Sequence, residues 1–83
     1  MHVLNPPDGA VYLIDPTLRR EFQTLRLRAS IEAGGRIEWR VDGSLVGTSQ
    51  PGGTLDWPLA AGAHVVSARD GRGGRGEAAF VVK

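Results

Sequence analysis

The sequence contains no cysteine. Disulfides, thiolate metal sites and a cysteine nucleophile are therefore excluded, whatever the compartment. Lysine is almost missing too: nine of the ten basic residues are Arg and the tenth is Lys83, set against nine acids for a net charge of +1. The two signs are interleaved along the chain. A nucleic-acid binder carries a basic excess on one face, so no nucleic-acid partner is expected. Aromatic residues amount to only 6%. No apolar run approaches the roughly 20 residues of a spanning helix, so no direct membrane insertion by this segment is expected. Met1–Pro7 lacks the basic start and apolar stretch of a signal peptide. Eighty-three residues make one domain near the lower limit for a single core. With neither staple nor metal, such a domain relies on its packing, backed by a neighbouring domain.

What the chain does have is turn chemistry at short, regular intervals. Twelve Gly and five Pro punctuate it every eight to twelve residues, the spacing of an all-β sandwich. The most telling stretch is Ile37-Glu38-Trp39-Arg40-Val41-Asp42-Gly43, in which Ile37, Trp39 and Val41 share one face of a strand. Asp42-Gly43 suits a two-residue type I′ hairpin turn. That turn predicts Val41 opposite Ser44 and Trp39 opposite Val46. Gln23 to Ile31 alternates in the same way, followed by a turn at Ala33-Gly34-Gly35. Further strands are predicted at Val3–Asn5, Ala10–Ile14, Thr54–Leu59, Ala63–Asp70 and Glu77–Lys83. Pro58 has no N–H to give a ladder, which places its strand at an edge or at its end. Asp15-Pro16-Thr17 reads either as the cap of one helical turn or as an irregular crossing between sheets. No stretch sustains helical periodicity. The predicted core is Leu25, Leu27, Ala29, Ile37, Trp39, Val41, Leu55, Trp57, Val66, Ala68, Phe80 and Val82, with Ala78 also facing inward.

Reactive constellations are scarce. His64 is the only His outside the first two residues. One imidazole with no second ligand at metal spacing reads as a strand-start histidine bonded to backbone or to a carboxylate. Ser30, Ser44, Ser49 and Ser67 have no other base to activate them, and neither a G-x-S-x-G elbow nor a Ser-x-x-Lys motif occurs. Glu38, Asp42 and Asp56 are candidates for paired carboxylates, but Glu38 falls on the solvent side and Asp42 in a turn. Asp8 and Asp15, next to Pro and Gly, raise calcium only weakly, since no third acid stands at fixed spacing. No metal or other cofactor is expected. Asp70-Gly71-Arg72-Gly73-Gly74-Arg75-Gly76 superficially resembles a phosphate cradle, but it leads into a strand rather than a helix and reads as a long hairpin loop, mobile at its tip. The candidate interaction surface is Tyr12 with Arg69, Arg72 and Arg75.

One ordered set of motifs runs through nearly the whole chain. It comprises Asn5-Pro6-Pro7-Asp8-Gly9-Ala10, Gln23-x-Leu25-x-Leu27-x-Ala29, Trp39-x-Val41-Asp42-Gly43-x-x-x-Gly47, Trp57-x-Leu59, Gly62-x-His64-x-Val66-x-Ala68-x-Asp70-x-x-Gly73 and Phe80-Val81-Val82. That set resembles the C-terminal domain of bifunctional class A penicillin-binding proteins of the 1C type. The resemblance implies a small Ig-like antiparallel β-sandwich of about seven strands, residues 1–83, taken from the C-terminus of a larger chain. It implies a parent that is periplasmic, anchored to the inner membrane, and makes peptidoglycan with glycosyltransferase and transpeptidase domains. This piece is then its non-catalytic appendage, with no catalytic residues carried over. Its implied partners are the upstream catalytic domains or a cell-envelope protein. The rival expectation is direct binding of peptidoglycan glycan or stem peptide, by stacking on Tyr12 or Trp57. The 15–22 connection and the 71–76 loop depart most from the family pattern.

Overall fold

The computed structural model describes residues 1–30 and 35–83. Its elements are β1 (Val3–Asn5), β2 (Ala10–Tyr12), a 3-10 turn at Arg20–Phe22, β3 (Thr24–Ala29), β4 (Ile37–Val41), β5 (Ser44–Ser49), β6 (Thr54–Pro58), β7 (Gly62–Arg69) and β8 (Arg75–Val82). Two sheets stack face to face, one ordered β1-β3-β6 and the other β2-β8-β7-β4-β5. The all-β sandwich is thus as expected, with eight strands. One pairing departs from a purely antiparallel scheme: β2 runs parallel to β8, with Ala10 opposite Phe80 and Tyr12 opposite Val82. The entry segment explains both differences, because β1 joins the three-stranded sheet and β2 joins the other. The predicted Ile31 position and the Ala33-Gly34 turn lie outside the described residues. No helix among the described residues is long and apolar enough to cross a membrane.

Alternation decides the core. β3 is exposed and buried by turns from Thr24 to Ala29, and β4 is buried at Ile37, Trp39 and Val41. The same inner face of the five-stranded sheet also contributes Val66, Ala68, Ala78, Phe80 and Val82, and all these side chains form one cluster. Trp39 has no exposed surface at its centre. Its indole N–H donates to Ser49 Oγ at 2.9 Å, so burying the ring leaves no polar atom stranded. Leu55 and Trp57, placed in the core by the sequence pattern, are only half-buried. They lie on β6, the edge of the narrower sheet, where one flank has no neighbouring strand. The edge placement also accommodates Pro58, as its missing N–H requires.

The Asp42-Gly43 turn has the predicted two residues, both with positive φ (53° and 85°), and Val41 stands opposite Ser44. The next pair does not follow. A bulge between Trp39 and Arg40 shifts the ladder, so Trp39 faces Gly47 instead of Val46. A Cβ on Gly47 would lie 2.9 Å from Leu55 Cδ2, and its φ is +153°. The bulge therefore sets a residue without a side chain where Leu55 of the second sheet presses close.

The 13–22 connection is the crossing between sheets, and it contains a 3-10 turn at Arg20–Phe22 rather than at Asp15. Asp15 Oδ1 instead accepts from the Thr17 N–H at 2.8 Å and the Thr17 hydroxyl at 2.7 Å. Gln23, buried at the start of β3, secures the crossing: its Oε1 accepts from Asp15 N–H at 2.7 Å, and its amide donates to the carbonyls of Asp15 (2.9 Å) and Leu18 (3.1 Å).

Candidate functional site

Two groups of side chains, at opposite ends of the five-stranded sheet, hold the residues singled out from the sequence. The first surrounds His64. Because β7 pairs with β4 in register Val41–Val66, the hairpin turn after β4 comes to rest beside the start of β7. Asp42 then reaches across, its Oδ2 2.6 Å from His64 Nδ1 while its Oδ1 accepts from Val65 N–H at 2.9 Å. His64 Nε2 lies 2.8 Å from the Ala60 carbonyl. Both ring nitrogens thus face acceptors, and the doubly protonated imidazolium is the form that satisfies both. Its pKa is raised, chiefly by the hydrogen bond to Asp42 and against the opposing effect of burial. The Asp42 carboxyl is held below its usual range, first by the bond to His64 and then by Val65 N–H.

Aromatic rings complete this end. Trp57 stands edge-on to His64 (5.1 Å between centroids) and to Phe80 (5.6 Å), and Tyr12 stands edge-on to Phe80 at 6.2 Å. Tyr12 and Trp57 are both half-buried. Burial raises the Tyr12 pKa. His64 accordingly takes the role expected of it, bonded to both a carboxylate and a backbone carbonyl.

The second group lies on the outer face, where β7 and β8 meet their hairpin. The expected long loop is shorter than predicted: β8 begins at Arg75, and only Asp70–Gly74 connect the strands. Asp70 closes that connection. Its Oδ1 accepts from the N–H groups of Arg72 (2.9 Å) and Gly74 (2.8 Å), and its own N–H donates to Gly74 O at 3.0 Å. Arg69 and Arg75 are therefore strand residues directly opposite each other, while Arg72 sits in the turn. Tyr12 belongs elsewhere. It pairs with Val82, seven residues along β8 from Arg75, roughly 23 Å away at the usual rise. The four predicted interaction residues thus divide between the two ends of the sheet.

Three other acids singled out from the sequence have structural partners. Asp8 Oδ1 accepts from Ala79 N–H at 2.8 Å, Glu38 pairs with Arg40 at 2.9 Å, and Asp56 lies 3.5 Å from Arg26. No group of three or more His, Asp or Glu converges on a metal-sized position among the described residues. The pairing of Asp42 with His64, separated by 22 positions, escaped the sequence reading. Only the β4–β7 register brings the two together.

The Penicillin-Binding Protein C-terminus Family has a model that matches residues 1–80. The chain belongs to that family. The resemblance read from the ordered motifs is thereby established, and with the sandwich fold it marks the chain as an accessory domain of a penicillin-binding protein. The search of curated proteins returned no match. Among solved structures, a chain of the Clostridium thermocellum CbhA fibronectin(III)-like modules is similar over 99% of this chain and 94% of that one. Its TM-score is 0.74 at 19% identity, a likeness of fold alone. This member of the penicillin-binding protein C-terminus family therefore shares its sandwich with modules of quite different sequence.

Proposed function

We propose that this domain is the non-catalytic appendage of a peptidoglycan-synthesising penicillin-binding protein, positioning the glycosyltransferase and transpeptidase domains or recruiting a cell-envelope partner. The family match over residues 1–80 carries the reading. Its setting is the periplasm, in a parent anchored to the inner membrane. The engagement of His64 on both nitrogens supports a structural role for the one imidazole placed to act as a base. Deleting residues 1–83 from the full-length parent, then measuring glycan polymerisation and peptide cross-linking in vitro, tests the proposal. Loss of coupling between two activities that each persist is expected. A deletion that changes neither activity nor the set of envelope proteins retained by the parent would refute it, as would hydrolysis of a cell-wall substrate by the isolated chain.

The second reading, direct binding of glycan, requires exposed aromatic faces for sugar stacking. Tyr12 and Trp57 instead pack against Phe80 and are half-buried. That geometry favours the first reading.

A further inference from the structure

The outer face of the five-stranded sheet carries a charge arrangement that its own ladder does not satisfy. One rung places Glu38, Arg69 and Arg75 side by side across β4, β7 and β8. The next outward rung places Arg40, Ser67 and Glu77 in the same order. These six side chains line an open depression of about 190 Å³. Glu38, which faces Arg69 across the strands, is taken by Arg40 on its own strand at 2.9 Å. Arg69 and Arg75 stand directly opposite each other, both exposed, and neither makes an ion pair among the described residues. Like charges in that relation oppose folding of the sheet. No ion pair among the described residues compensates the fold for placing two arginines opposite each other.

Resting on the accessory-domain reading, we infer that Arg69 and Arg75 form a binding site for a peptide carboxylate, from either an acidic side chain or a free C-terminus. Two adjacent guanidinium forks offer parallel N–H donors matched to the two oxygens of one carboxylate. The ligand's charge is set by the flanks. Three Arg and two Glu line the depression, a net +1 that one carboxylate neutralises. A phosphate of nearly two negative charges would exceed that balance in a depression that Glu38 and Glu77 also line. The Ser67 hydroxyl, one rung along, adds a neutral donor.

The test is a titration of the 15N-labelled chain with three capped tripeptides: acetyl-Ala-Glu-Ala-amide, acetyl-Ala-Ala-Ala with its free C-terminus, and acetyl-Ala-Gln-Ala-amide as the uncharged control. Localised shifts at residues 67–69 and 75–77 and at the Arg69 and Arg75 Nε–H signals are expected with at least one carboxylate probe, and none with the control. Whichever probe acts identifies the source. The double variant R69Q/R75Q should lose at least fivefold of the affinity while melting at or above the wild-type temperature, because a like-charge pair has been removed. Equal shifts with the control, wild-type binding by the double variant, tighter binding of inorganic phosphate, or a lower melting temperature would each overturn the site. Suppose domain deletion uncouples the parent's activities while R69Q/R75Q binds like wild type. The accessory role then stands and this site falls.

Discussion

Trp39→Ala is the sharpest perturbation of this molecule. The ring is completely enclosed, with Leu25, Leu27, Ile37, Val66 and Phe80 in the same cluster and a hydrogen bond from Nε1 to Ser49 Oγ. Deleting a core aromatic costs about 3–5 kcal/mol, from lost transfer energy and the cavity left behind. An 83-residue domain at ordinary stability per residue has about 4–12 kcal/mol in total. The variant should therefore sit near its unfolding threshold. With a urea slope near 1 kcal/mol/M, the midpoint moves down by about 3–5 M. The melting temperature falls on the order of 20 °C. Trp39→Phe separates the two contributions, since it keeps an apolar ring and removes only the indole donor with part of the volume. Its cost should fall well below that of Trp39→Ala, and Ser49→Ala should then add little to it. Urea melts followed by circular dichroism read all of these. If Trp39→Ala unfolds within about 1 kcal/mol of wild type at unchanged slope, the sealed position of the indole, and the packing argument built on it, are wrong.

Further consequences can be measured on the same chain. Gly47→Ala should destabilise by about 1–3 kcal/mol, because the new Cβ meets Leu55 Cδ2 at 2.9 Å on a backbone with φ +153°; Leu55→Ala in the same chain should recover the part due to the clash. Gln23→Ala removes three bonds to the 15–22 crossing, and an urea-measured loss of about 1–3 kcal/mol is expected from backbone groups left without partners. The His64–Asp42 latch makes stability depend on pH in a definite direction. Folded His64 holds its proton more tightly than the unfolded chain, so its contribution is complete below about pH 6.5 and is lost as pH rises through the raised pKa. Asp42 works from the other side, its contribution present above about pH 3.9 and lost as pH falls through the lowered pKa. The latch should thus be strongest between about pH 4 and 6.5. Asp42→Asn, which tolerates the positive φ, should bring the His64 NMR titration down towards the free value; an unchanged titration would show that the carboxylate is not its cause.

The strands were legible because period-two alternation is a local property. Leu25–Leu27–Ala29 and Ile37–Trp39–Val41 each declare one inward face without reference to any other element, and the structure buries all six. The Asp42-Gly43 turn was legible for the same reason, since positive φ at both residues depends on chemistry within the dipeptide. The candidate interaction surface grouped its four residues by type, not by position. Tyr12 is half-buried and the arginines are exposed, and the β2–β8 and β7–β8 registers send them to opposite ends of one sheet.

Composition and local pattern were enough to settle the all-β class, most of the core, the absence of thiol chemistry and, through the ordered motifs, the family. Which strands lie side by side is a different kind of quantity, set by how two whole sheets bury their faces together. From that packing alone came the bulge that puts Gly47 under Leu55, the carboxylate beside His64, the half-exposure of Leu55 and Trp57 on an edge strand, and the juxtaposition of Arg69 with Arg75. Each depends on contacts between residues on different strands, and no periodicity within a single strand encodes such a contact.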